Sequence, residues 1–279
     1  MIAFVRSNQP LFPELSYAGS VEGRMRRLVV RSIERLSGRD RYARLYGIWR
    51  ENVAPTGTRI FGRMLQMIDM KVEIDGAWPP AMVPDGPLVV VANHPFGIGD
   101  GIAILSLVEQ LGRPFRVMIH KELLRIPEME PYALPVDFSE TREAVKSNLE
   151  VRREALRLIG EGTIIVVFPA GGVATAPRGF GRAEDLPWKM FPARLVKDSG
   201  ASVIPMYFEG QNGWMFHLVS RFSMTLRTAL LIREFARQYG DTIRVRVGGG
   251  IAPAEIRFLG DRKAVLERLY DAVFSLAAR

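Results

Sequence analysis

The chain has 279 residues, 48% of them hydrophobic, which is enough material for one large α/β domain or two small ones. It holds no cysteine, which excludes disulfides, thiol nucleophiles and thiolate metal sites and agrees with a reducing compartment. A formal charge of +8 favours a polyanionic partner: nucleic acid, an anionic bilayer or a phosphorylated substrate.

The first 13 residues carry one Arg and two Pro and lack the apolar core and small-residue cleavage site of a secretory signal, so the expected address is cytoplasmic. No stretch approaches the roughly 18 consecutive apolar residues that a spanning helix needs. Between Arg24 and Arg50 stand nine Arg against two acids, Glu34 and Asp40. Leu28, Val29, Ile33 and Leu36, then Leu45, Ile48 and Trp49, recur at helical spacing, with a break near Ser37-Gly38. This is a basic amphipathic pattern suited to an anionic bilayer surface, and equally to the solvated face of a docked helix. A second helix is expected over residues 57–68, where Ile60, Phe61, Met64, Leu65 and Ile68 form an apolar stripe suited to packing or, alternatively, to dipping into a membrane.

From residue 70 the texture changes to short apolar runs alternating with helical patterns. Strands are expected at 70–74, 88–92, 115–119, 164–168, 203–208 and 243–247. Helices are expected at 101–111, 141–159, 188–198 and 262–278, with Thr141 capping the second. Continuous apolar strands with helical crossovers indicate an α/β fold with a largely parallel central sheet flanked by helices. The expected organisation is an N-terminal basic, membrane-docking helical segment (1–69) and an α/β domain (70–279), joined in one compact unit.

The apolar run 88–92 leads straight into Asn93-His94-Pro95-Phe96-Gly97-Ile98-Gly99-Asp100, with a helix expected just after Asp100. In a parallel sheet, sites form at the carboxyl ends of strands. A histidine there can serve as general base near neutral pH. Asp100 can accept the proton on the far ring nitrogen, fixing the tautomer as the carboxylate of a Ser-His-Asp triad does. Gly97 and Gly99 let the loop fold back so that the two side chains meet. The alternatives are an ordinary helix cap for Asp100, an ordinary turn for Pro95-Phe96-Gly97 and a structural role for His94. A dinucleotide loop is disfavoured, because Ile102 stands where the third glycine of G-x-G-x-x-G belongs.

These residues resemble the lysophospholipid and glycerolipid acyltransferase superfamily (PlsC-like), whose first motif pairs His with Asp and whose later blocks recur here in the same order. The second block resembles Lys121-Glu122-Leu123-Leu124-Arg125-Ile126-Pro127 followed by Pro135-Val136-Asp137-Phe138. The third is similar to Phe168-Pro169-Ala170-Gly171-Gly172, and the fourth to Val203-Ile204-Pro205-Met206. The blocks span residues 88–211, close to half the chain. Five residues separate His94 from Asp100 where four are commoner, a variant of the bacterial hemolysin-like branch. Phe208-Glu209-Gly210-Gln211-Asn212 is similar to the same branch, which includes enzymes of aminolipid synthesis. Ala170 replaces the usual Glu and Phe138 a usual Arg, so the family's glycerol-phosphate contacts are not carried over there.

The resemblance implies a peripheral enzyme on the inner face of the cell membrane, acting without a cofactor. An acyl group would pass from a carrier-protein or coenzyme A thioester to the hydroxyl of a lysophospholipid or lyso-aminolipid. His94 would deprotonate the acceptor and Asp100 would orient it. The amides of Gly171 and Gly172 are oxyanion candidates, and Lys121, Arg142, Phe168, Pro169, Arg182 and Lys189 are candidate substrate contacts. Met206, Trp214 and Phe216 are among the residues suited to an acyl groove or, alternatively, to core packing. A lipid hydrolase or thioesterase is the rival enzyme reading, weakened by the lack of a G-x-S-x-G elbow or a cysteine. A metal enzyme is disfavoured because His94, His120 and His217 are the only histidines and none are spaced as H-x-x-x-H. A non-enzymatic basic membrane-binding module is the remaining alternative; no nucleic-acid motif accompanies the basic segment, so no nucleic-acid partner is expected.

Overall fold

The computed structural model describes residues 12–20, 23–80, 83, 85–137, 139 and 141–278. Most of the N-terminal stretch read above for a secretory signal, and Phe138, lie outside the described residues. A seven-stranded sheet forms from β1 (Lys71–Asp75), β2 (Leu88–Ala92), β3 (Phe115–His120), β4 (Ala133–Val136), β5 (Ile164–Val167), β6 (Ser202–Phe208) and β7 (Thr242–Val247). Their order is β1-β7-β6-β2-β5-β3-β4, and every pairing is parallel except β6 with β7. The expected α/β architecture is therefore present, with one antiparallel seam.

The pattern of β2, Leu-Val-Val-Val-Ala with every residue buried, explains its central place. Alternate side chains leave opposite faces of a strand. Leu88, Val90 and Ala92 enter one core with Trp49 of α2 (Arg39–Asn52), Phe61 of α3 (Ile60–Met67) and Ile104 of α4 (Ile98–Val108). Val89 and Val91 enter the other with Ile159 of α5 (Arg142–Gly160), Leu195 of α6 (Phe191–Ser199) and Leu269 of α10 (Arg262–Phe274). Each fully buried aliphatic side chain of this kind contributes about 1.5–3 kcal/mol relative to exposure. Helices α2 and α3 thus share the core of the sheet, and the stripe expected over 57–68 is packing surface.

The basic segment forms α1 (Arg24–Leu36) and α2, separated at Gly38, whose φ of 78° ends one helix and starts the next. The two differ in what they bury. On α1 the interior receives Val30 and Glu34, while Met25 (74%), Leu28 (62%) and Leu36 (88%) stand exposed among Arg24, Arg26, Arg27, Arg31 and Arg35. Much of the apolar stripe read from the sequence therefore faces outward. Helix α2 is docked through Ala43, Tyr46 and Trp49. No described helix is long and apolar enough to cross a membrane.

Several elements depart from expectation. Strand β4, α7 (Trp214–Ser220), α8 (Met224–Arg237) and α9 (Pro253–Phe258) join the expected set. Helix α6 begins at Phe191 rather than 188, because 184–190 is irregular chain that carries part of the site. Helix α4 begins at Ile98, so Asp100 is its third residue and does not precede it.

Candidate active site

The sheet brings the carboxyl ends of β6, β2 and β5 side by side, the place where a parallel sheet offers main-chain ends and loops to a ligand. His94 leaves β2 there. Gly97 turns the chain into α4 with φ 89°, a conformation that an L side chain resists, and a Cβ on it would meet Val173 Cγ2 at 2.9 Å. This turn folds Asp100 back beneath His94. Gly210, with φ 110°, leaves room for the Phe96 ring, which a Cβ there would meet at 2.6 Å.

Asp100 is wholly buried and divides its oxygens between two tasks. Oδ2 accepts the Phe96 N–H at 2.8 Å, closing the turn at the start of α4. Oδ1 lies 3.1 Å from His94 Nδ1, and neither of those atoms has another partner among the described residues. The capping and the functional readings of Asp100 therefore both hold, on different oxygens. The His94 side chain keeps 16% of its surface open, with Nδ1 buried, so the remaining nitrogen, Nε2, is the one available to a substrate.

The rest of the surround fixes His94 at its main chain and ring. Its N–H donates to Asp185 Oδ1 at 3.2 Å, and its carbonyl accepts the Ala174 N–H at 2.8 Å. Asp185 is held in turn by the Trp188 indole N–H, 3.0 Å from Oδ2. Phe168 stacks on the imidazole with centroids 4.1 Å apart. Asn93 locks β2 to β6 by exchanging bonds of 2.9 and 2.7 Å with the carbonyl and N–H of Phe208.

Burial is the largest influence on His94 and opposes protonation, but attraction to Asp100, their hydrogen bond and the Asp185 charge together outweigh it, and the pKa is raised. Arg227 acts weakly in the other direction. Burial pushes the Asp185 carboxyl up, against the bonds from Trp188 and the His94 N–H.

The other expected contacts divide. Phe168 touches the base; Pro169 accepts the Lys189 N–H at 2.9 Å and so ties the third block to the loop of Asp185. The Gly171 N–H is committed to the Phe168 carbonyl at 3.0 Å, which removes it as an oxyanion donor; that of Gly172 bonds to no group among the described residues. Lys121 pairs with Asp137 at 2.6 Å, a bond that holds that carboxyl at about 2, so it is occupied by a surface ion pair. Arg142 opens α5, exposed, without a bond to His94 or Asp100. Arg182 is exposed in the loop between β5 and α6. Met206 and Phe216 are fully buried core, and exposed Trp214 stacks with Phe180 at 6.3 Å. His120 caps the Glu122 N–H at 3.1 Å.

Asp185, Trp188 and Ala174 were not singled out from the sequence. No spacing announces them, since Asp185 reaches His94 from 91 positions away. Two clefts, of about 290 Å³ between β4 and α5 and about 400 Å³ beside Trp188 and Tyr270, lie away from His94 and Asp100, although the second backs onto the Trp188–Asp185 bond. Among the described residues, no group of three or more His, Asp or Glu converges as metal ligands.

The family model described as Acyltransferase matches residues 78–276, well over half of the chain and including every residue of this site. The chain belongs to the acyltransferase family. Among curated proteins, the chain is 25% identical over 167 residues to a lyso-glycine lipid O-acyltransferase of Phocaeicola vulgatus, covering 58% of the chain and 55% of the relative. It is also 25% identical over 159 residues to a lyso-glycine lipid O-acyltransferase of Bacteroides thetaiotaomicron, covering 55% of the chain and 53% of the relative. The chain spans about half the length of the curated relatives it matches. Its fold is similar to the crystal structure of the 1-acyl-sn-glycerophosphate acyltransferase PlsC from Thermotoga maritima, with a TM-score of 0.50 at 18% identity, over 96% of this chain and 91% of that one.

Proposed function

We propose that this acyltransferase moves a fatty acyl group from the thioester of an acyl carrier protein or coenzyme A to the hydroxyl of a lyso-lipid, with a lyso-aminolipid as the favoured acceptor. The observation that carries the reading is the His94–Asp100 pair, 3.1 Å apart at the carboxyl end of β2 with Asp100 fully buried. Asp100 holds the proton of Nδ1, which leaves Nε2 as base. His94 takes the acceptor's hydroxyl proton through Nε2 as the oxygen attacks the thioester carbon. The tetrahedral oxyanion then collapses, the carbon–sulfur bond breaks, and the imidazolium returns the proton to the departing sulfur. The uncommitted Gly172 N–H is the oxyanion donor we assign, a contribution of about 2.7–4 kcal/mol where such donors have been removed. Phe168 keeps the imidazole plane in place. Arg182 and Lys189 stand on the same loop as Asp185 and supply positive charge towards an anionic substrate, whereas Lys121 is committed to Asp137.

Support for the acceptor class comes from the lyso-glycine lipid relatives, and support for surface action from α1, whose exposed Met25, Leu28 and Leu36 lie among five exposed Arg. We place residues 1–69 on the anionic inner face of the cell membrane as the docking segment. The test is to incubate the purified protein with an acyl thioester and an N-acylated glycine whose acyl chain bears a hydroxyl, and to look by mass spectrometry for the O-acylated product. A product that depends on the thioester is expected; free fatty acid alone would mean a hydrolase.

A further inference from the structure

Among the buried cationic side chains of the described residues, Arg39 and Arg227, Arg227 on α8 stands apart. Buried Glu34 and Arg39 face each other at 4.0 Å, Asp100 faces His94, and Glu234 accepts the Gly213 N–H at 2.7 Å. Arg227 is only 9% exposed, yet among the described residues it makes no ion pair. Its Nη2 donates to the Val173 carbonyl at 2.6 Å, and its guanidinium lies over the Phe216 ring, 5.4 Å from the centroid. Both contacts are neutral. Burial pushes its pKa down. A buried cation without a counter-charge is expensive to keep, so a transient anion is the natural complement.

Its position says which anion. Arg227 bonds the carbonyl of Val173, and the next residue, Ala174, bonds the carbonyl of His94. The guanidinium thus stands two hydrogen bonds along the main chain from the base, and its charge is felt by His94. The oxyanion is assigned to the Gly172 N–H, which leaves Arg227 for a group at the far end of an acceptor whose hydroxyl faces His94 Nε2. One guanidinium balances one carboxylate and matches it in a fork of two N–H bonds. A phosphate monoester would bring more negative charge than this single buried cation offsets.

We infer that Arg227 receives the carboxylate of the acceptor's amino-acid head group and selects acceptors that carry one. The inference rests on the acyl-transfer reading proposed above. It makes Arg227 a specificity-determining residue that acts on substrate binding and takes no proton.

The test compares an N-(3-hydroxyacyl)glycine with the corresponding glycinamide in wild type, Arg227→Met and Arg227→Lys, and offers wild type a lysophosphatidate as well. Wild type should favour the carboxylate by about 30-fold or more in kcat/KM, through KM. Arg227→Met should lose that preference while transferring to the glycinamide within about three-fold of wild type. Arg227→Lys, a point charge without the fork, should keep part of the preference. Should Arg227→Met fail to fold, Arg227→Lys and the wild-type acceptor ratio decide. Equal losses on both acceptors would reduce Arg227 to an anchor of α8 on Val173 and overturn the inference, as would a preference unchanged in Arg227→Met. A wild type that prefers lysophosphatidate to both would replace the carboxylate by a phosphate and also overturn it. Transfer to no acceptor would instead refute the acyl-transfer reading, and the inference would fall with it.

Discussion

Asp100→Asn is the most informative single substitution, because the structure dictates which way the new amide turns. The Phe96 N–H donates to Asp100 Oδ2 at 2.8 Å, so in the variant the amide oxygen must stay on that side. The amide NH2 then faces His94 Nδ1, 3.1 Å away in the parent pair. A donor there forces Nδ1 to accept, which moves the ring proton to Nε2 and leaves no base towards the acceptor hydroxyl. The same tautomer inversion in a serine protease triad costs about 10,000-fold in kcat. At 1.36 kcal/mol per decade, a loss of about 1,000- to 10,000-fold corresponds to roughly 4–5.5 kcal/mol of barrier. Folding should change little, since the Phe96 bond survives and side-chain volume is conserved; a shift within about 1 kcal/mol is expected. The assay is the rate of O-acylated product formation at saturating thioester, with a denaturant titration alongside. A stable Asp100→Asn protein within about ten-fold of wild type would refute the tautomer argument.

Activity requires neutral His94, and its pKa is raised by Asp100 and Asp185, so activity should be lost as pH falls through a value above the ordinary 6.5. Asp185→Asn removes one of those charges and should move the acid limb of kcat/KM to lower pH; an unmoved limb would contradict the assignment. Gly97→Ala places a Cβ 2.9 Å from Val173 Cγ2 at a φ of 89° and should lower unfolding free energy by about 1–3 kcal/mol in a urea titration, an unchanged midpoint refuting the turn's role. Reversing Arg24, Arg26, Arg27, Arg31 and Arg35 to Glu should weaken cosedimentation with anionic vesicles, most at low salt; equal binding would leave α1 as ordinary surface.

What the sequence disclosed follows from where its signals are strong. Strands β2 and β5 are buried on both faces and β6 nearly so, and unbroken apolar runs mark them. Thr141 announces α5 because its side chain accepts the Ala144 N–H at 3.1 Å, the bond that a helix start needs. Strand β4 is hidden by Pro135 and by its length of four residues, both permissible because it pairs only with β3 at the sheet edge. Helix α8 did carry a start signal, Ser223 accepting the Leu226 N–H at 3.2 Å, but the β-branched and charged residues that follow mask its stripe.

The site was half visible. His94 and Asp100 sit six positions apart on one turn, so local chain geometry brings them together. Asp185 and Arg227 arrive from irregular chain and from α8, and only the tertiary fold makes them neighbours of the same histidine. The exposure of α1 was also beyond the pattern: helical spacing identifies an apolar stripe without saying whether protein or solvent meets it.

In the proposed mechanism His94 supplies the base for acyl transfer. The purified His94→Ala protein, shown by its melting profile to be folded, should form no O-acylated product from an acyl thioester and the hydroxylated N-acylglycine, while retaining vesicle binding equal to wild type. Transfer at the wild-type rate by His94→Ala would contradict the account.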